Sequence, residues 1–72
     1  MVKFDLLKLK YLIKAKYGKQ SDLAKELNIT ETSLGNKLNN RTYFTYYEIY
    51  KLINLLNIKD EEITDVFFKE KC

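Results

Sequence analysis

Residues 20–38, QSDLAKELNITETSLGNKL, constrain the fold of this chain more than any other stretch. They read as two short helices joined by a tight turn. Leu23, Ala24 and Leu27 form the buried stripe of the first helix, Leu34 and Leu38 that of the second, and Ile29 plugs the core from the turn between them. Asn28 falls where the chain must turn left-handed, a conformation that asparagine tolerates best after glycine. Ala24 is small because two steeply crossing helices bring their backbones close there.

The flanking sequence completes an all-α reading with five helices. A first helix over residues 6–16 starts after Asp5 as N-cap, forms its apolar face from Leu9, Leu12 and Ile13 and stops at Gly18. The second and third span 20–27 and 31–38, with Thr30 capping the third. Thr45-Tyr-Tyr-Glu48 has the pattern of a capping box and opens a fourth helix over 46–56, which buries Ile49, Leu52, Ile53 and Leu56. Asn57 and Ile58 repeat the exit formed by Asn28 and Ile29. A fifth helix covers 60–68, its first turn crowded with Asp60, Glu61 and Glu62, where the helix dipole favours negative charge. No period-two pattern indicates a strand.

Two helices in this relation form a helix-turn-helix, which presents its second helix to a DNA major groove. The series Gln20-x-x-Leu23-Ala24-x-x-Leu27-Asn28-Ile29-Thr30-x-x-x-Leu34, then Leu38-Asn39-Asn40-Arg41, and later Ile49-x-x-Leu52-Ile53-x-x-Leu56-Asn57-Ile58, resembles the Cro/repressor-type (XRE-like) helix-turn-helix family. The resemblance covers about residues 6–68. It implies a compact five-helix, lambda-repressor-like DNA-binding domain, and a sequence-specific regulator similar to the small lysis–lysogeny switch proteins of temperate phages, working in the cytoplasm of a bacterial host.

By that resemblance, Gln20 opens the second helix on a DNA phosphate. Glu31, Thr32, Ser33 and Asn36 line the exposed face of the recognition helix, and Asn39, Asn40, Arg41 and Thr42 touch the backbone beyond it. The residue types suit the task. Thr32 and Ser33 can bond base edges or meet a thymine methyl, Asn36 can pair with adenine, and Glu31 can accept from cytosine. Lys37 can reach guanine or phosphate, and Lys19, Gln20, Lys37 and Arg41 would carry most of the affinity. Structural readings compete. Glu31 can serve only the helix dipole, Thr32 and Ser33 only the first turn, and Asn36 only solvent. Three positions depart from the family pattern. Lys19 stands where Ser or Thr usually caps the second helix, Asn28 replaces the turn glycine, and Gly35 sits inside the recognition helix, where it admits another backbone at close range.

Composition sharpens the choice of partner. Residues 1–45 carry nine Lys/Arg against four Asp/Glu, and residues 46–72 four against six, so the overall charge of +3 is concentrated in the half that holds the two-helix stretch. That distribution suits a phosphate-facing surface, although a solvated lysine-rich helix would look the same. Seventy-two residues suffice for one domain and leave no room for a two-walled substrate cleft. With no histidine, one terminal cysteine and no metal-ligand spacing, the chain is expected to be neither an enzyme nor a metal or cofactor protein. Cys72 is expected to be a free thiol. Apolar runs are too short to span a bilayer, and the N-terminus lacks a secretory pattern, so no membrane partner is expected.

Two further readings concern proteins as partners. Val66, Phe67 and Phe68 exceed what so small a core absorbs unless they fold back on Leu6 and Leu9, and the resemblance implies a homodimer through this last helix. In the aromatic cluster, Phe44 and Tyr46 are expected in the core, Tyr50 partly so, and Tyr43 and Tyr47 at the surface, in preference to a base-stacking platform for single strands. The alternative to operator binding is an antirepressor, in which the face around Gly35 binds a partner repressor protein instead of DNA.

Overall fold

A computed structural model describes residues 2–71; Met1 and Cys72, with the expectation of a free thiol, lie outside them. Five α-helices follow in order: α1 (Leu7–Tyr17), α2 (Gln20–Glu26), α3 (Glu31–Leu38), α4 (Tyr46–Leu55) and α5 (Ile63–Phe67). They pack around one apolar cluster in which Leu9, Leu23, Leu34, Leu38, Leu52 and Val66 are fully buried. Each of these comes from a stripe at three- or four-residue spacing, and α2 lies between α1 and α3 while α5 returns onto α1.

Local chemistry sets where the helices start and stop. Thr30 accepts the Ser33 N–H at 3.1 Å and begins α3. Thr45 and Glu48 make the reciprocal capping box that begins α4. Gly18 ends α1 at φ 75°. The exits from α2, α3 and α4 are three copies of one Schellman motif, with Asn28, Asn40 and Asn57 each left-handed at φ 58°, 64° and 53°. In each, the next residue reaches back five residues along the chain: Ile29 N–H donates to the Ala24 carbonyl at 3.0 Å, Arg41 to Asn36 at 2.9 Å, and Ile58 to Ile53 at 3.0 Å.

Several expectations require correction. Asp5 is not the N-cap of α1. Its backbone N–H is bound to the Lys69 carbonyl at 2.7 Å, which places it in an extended segment, and α1 begins at Leu7 with the Asp5 carboxylate accepting the Leu7 N–H at 3.1 Å. The helix expected over 60–68 is broken into a 3₁₀ turn at Asp60–Glu62 and a short α5. Tyr46 and Tyr50 are not core residues but are 95% and 64% exposed, because the inward stripe of α4 runs through Glu48, Leu52 and Leu56, which turns both rings away. Residues near the two ends form an isolated antiparallel bridge, Phe4 to Glu70, that periodicity could not show in so short a segment.

Ala24 is 2% exposed within the cluster. Ala24→Leu is expected to destabilise the fold by about 1–3 kcal/mol through overpacking. Thermal melting checks this, and an unchanged midpoint would mean that α2 and α3 do not approach closely at this residue.

Candidate functional site

The site is built on α3 and the loop that leaves it. Leu34 and Leu38 anchor α3 in the core, so Thr32 and Asn36, which sit about half a turn from them and four residues apart, lie along its outermost line. Glu31 and Thr32 are exposed, and Ser33, Gly35 and Asn36 are partly exposed. Gly35 is open on its solvent side: a Cβ built there meets nothing within 4 Å. At the start of α2, Lys19 and Gln20 are both exposed, and Lys19 supplies no side-chain cap.

The exit from α3 differs from its two sisters in one informative way. In the exits from α2 and α4 the residue after the left-handed asparagine is isoleucine, and it turns inward to pack on the core. After α3 the same position holds Arg41, and it is exposed. Its guanidinium reaches back to the Asn36 Oδ1 at 3.3 Å, so a cation and an amide stand side by side at the outer edge of α3. Asn39 and Thr42 flank them, both exposed. This arrangement offers a cation, an amide and hydroxyls side by side on α3 and the loop that leaves it.

Two residues expected at this surface are engaged elsewhere. Lys37 lies on the inner shoulder of α3, next to Leu38, and its ammonium is bound to the Glu48 carboxylate at 2.6 Å, with side-chain exposures of 14% and 8%. Glu48 must be inward because it precedes Leu52 by one turn on the buried stripe of α4, and the pairing compensates its charge. The same carboxylate oxygen accepts the Thr45 N–H at 2.8 Å. Burial, the largest single influence, would raise the Glu48 pKa. The hydrogen bond from Lys37, the Thr45 N–H, the Lys37 charge and the Thr45 hydroxyl together outweigh it and hold the carboxyl below its ordinary 4.5. Lys37 is therefore a brace between α3 and α4, not a free cation.

Asn40 is the second. Its amide makes both hydrogen bonds of a backbone partner, accepting the Phe4 N–H at 2.8 Å and donating to the Phe4 carbonyl at 2.9 Å. Tyr43 adds a bond from its hydroxyl to the Val2 carbonyl at 2.6 Å, and its ring packs against Phe4 with centroids 5.9 Å apart. The extended segment at residues 2–5 is thus held between the loop after α3 and the 69–71 segment, and it steadies the backbone that carries Arg41. No pattern of spacing could have revealed this role of Asn40. From the sequence Glu48 has only its capping-box role; its spacing, one turn before the buried Leu52, is the signal that could have shown its inward position.

Of the three residues expected to meet a second copy, two are taken up within the fold. Val66 and Phe67 are 1% and 3% exposed, packed in the same cluster as Leu6 and Leu9, and of the three only Phe68 reaches solvent, at 46%. A short helix returning onto α1 satisfies the apolar run internally. No helix of the described residues is long and apolar enough to cross a membrane.

Among curated proteins the chain finds no match. Residues 2–70 match the family described as "Protein of unknown function (DUF739)", and the chain belongs to that family.

Proposed function

We propose that this protein is a sequence-specific double-stranded DNA-binding regulator of the Cro-like kind, in which α2 and α3 act as a helix-turn-helix and α3 enters the major groove. The observation that carries this reading is the polar, solvent-reaching face of α3 continued by Arg41. Polar side chains suited to base edges sit on a helix anchored from behind by two buried leucines, and a cation at its exit occupies a position that the other two exits fill with isoleucine. Thr32, Ser33 and Asn36 face the bases, with Glu31 at the N-terminal end. Lys19, Gln20, Asn39, Arg41 and Thr42 face phosphates. Lys37 and Asn40 position the surface from within. A small regulator of a phage lysis–lysogeny switch fits this set.

A second reading has a specific support. Two of the residues expected to touch DNA are consumed internally, which thins the charge available to phosphates. The same face, open above Gly35, would then bind a partner repressor protein, and the chain would act as an antirepressor.

A gel shift on DNA from upstream of the protein's own gene, with scrambled DNA as control and salt varied, separates the two. Operator binding gives a specific shift that weakens steeply with salt. A shift that appears or disappears only when a second regulator is added favours the antirepressor. Because Asn36 and Arg41 are hydrogen-bonded, their alanine variants are expected to be coupled: Asn36→Ala relaxes sequence preference, Arg41→Ala lowers affinity for all sequences, and the double variant loses less than the two losses combined. Strict additivity would place the two on separate parts of the surface.

Gly35→Ala tests closeness of approach. With nothing of its own chain to meet, the added methyl is expected to stabilise α3 by about 1 kcal/mol. Where a nucleic-acid or protein backbone comes within contact of residue 35, the same substitution weakens binding. A variant that is more stable and binds equally well would remove Gly35 from the contact surface.

A further inference from the structure

Between the extended segment at residues 2–5, the loop after α3 and the end of α5 lies a cavity of about 440 Å³ that opens to solvent. That volume falls within the roughly 300–1,000 Å³ of small-molecule sites. Five of the residues lining it are aromatic: Phe4, Tyr43, Phe44, Phe67 and Phe68. Phe67 is buried, whereas Tyr43 and Phe68 are 48% and 46% exposed, so the rings run from the core to the rim. Phe4 and Phe68 meet edge to face, their centroids 5.9 Å apart at 87°. Such walls present both ring faces and ring edges, the two surfaces on which a further aromatic ring packs.

The uncommitted charge in this cavity has one sign. Two charged residues line it, Lys37 and Glu70. The Lys37 ammonium is already bound to Glu48. Glu70 is exposed and, among the described residues, has no cation bound to it. The bridge between Phe4 and Glu70 sets where that carboxylate lies. Its flanking bonds, from Asp5 N–H to the Lys69 carbonyl and from Lys71 N–H to the Lys3 carbonyl, make Phe4 and Glu70 a non-hydrogen-bonded pair, whose side chains stand close together on one face. Alternation sends Asp5 and Lys69 to the other face, where they line a separate hollow. The Tyr43 hydroxyl spends its proton on the Val2 carbonyl, which leaves its oxygen only to accept. We infer that the cavity is a binding site for a small aromatic amine, its ring packed among Phe4, Phe44 and Phe67 and its ammonium at Glu70. An aromatic carboxylate would fill the same space but bring a like charge to Glu70. An uncharged ring would pack as well and leave the carboxylate without a partner.

Tryptamine, indole and indole-3-acetate share one ring system and carry a positive, no and a negative charge. Titrating each into the labelled full chain, without DNA, tests the site independently of the role of α3. Amide shifts that saturate at Phe4, Tyr43, Phe68 and Glu70 are expected, with tryptamine bound about tenfold more tightly than indole-3-acetate. The overall charge of +3 favours the anion, so this order reads the cavity and not the surface at large. Glu70→Gln, a substitution of equal size at an exposed position, should bring amine and carboxylate to within about twofold of each other and leave the affinity for indole unchanged. The absence of saturable shifts at millimolar ligand overturns the inference. So do equal affinities for amine and carboxylate, a preference that survives Glu70→Gln, or shifts at Phe68 that follow protein concentration and not ligand, which would mean that a second copy covers the opening.

Discussion

Leu34→Ala is expected to melt about 15 °C below the wild type, while Asn36→Ala, two residues along the same helix, melts unchanged. Leu34 is fully buried at the centre of the cluster that α1, α2 and α4 share with α3. Truncating such a leucine removes its transfer free energy and leaves a cavity that a close-packed core closes only in part, a loss of roughly 3 kcal/mol. In a domain of this size each kcal/mol moves the midpoint by about 4–8 °C. Asn36 lies on the opposite side of α3 from Leu34 and Leu38, and its side-chain bond, to Arg41, is an exposed one. The two substitutions should therefore separate stability from recognition: Leu34→Ala depletes folded protein without changing which sequence the remainder prefers, and Asn36→Ala does the reverse. Thermal melts paired with binding to specific and scrambled duplexes check both halves. Comparable destabilisation by the two would show that the outer line of α3 is not free.

The second large effect is at the brace. Lys37→Ala strands the Glu48 carboxylate in an almost dry site, and the expected loss is about 3 kcal/mol at neutral pH, the lower end for breaking one half of a buried pair because both groups keep some contact with solvent. The pH dependence has a definite direction. Glu48 is held below 4.5 when folded and titrates near 4.5 when unfolded, so its pairing contributes fully above 4.5 and is lost as pH falls through the lower, folded value. Acidification should thus narrow the gap between wild type and Lys37→Ala, as the wild type loses what the variant already lacks. Urea titrations at neutral and acid pH measure it. A gap that stays constant down to acid pH would mean that Lys37 contributes through its methylene stem and not its charge.

Much of the fold was legible because it rests on local rules. The caps at Thr30 and Thr45, the stop at Gly18, the left-handed Asn28 and the repeat of that exit at Asn57 follow from residue type and position alone. The buried stripes of α2 and α3 follow from spacing. What was not legible depended on contacts distant in sequence. Phe4 and Asn40 are 36 residues apart, and nothing in either neighbourhood announces that an asparagine side chain will take the place of a neighbouring strand. The burial of Phe67 depended on α5 folding back onto α1, a choice that composition left open. Tyr46 and Tyr50 were misplaced because aromatic residues at helical spacing suit a core and an interface alike, and only the position of Glu48 on the inward stripe decides between them. At the candidate site, the surface residues of α3 were legible from Leu34 and Leu38, since an anchored helix must show its other side. The division of labour between Arg41, which points out, and Lys37 and Asn40, which are taken up within, was not.

The central claim is that the outer side of α3 meets DNA. Amide chemical-shift mapping of the labelled protein, titrated with a duplex selected from a random library, tests it most directly. Shifts concentrated on Glu31, Thr32, Ser33, Asn36 and Arg41, with Leu34 and Leu38 affected less, are the result expected. A library that enriches no sequence, or shifts that fall on α4 and α1 while α3 stays silent, would contradict it.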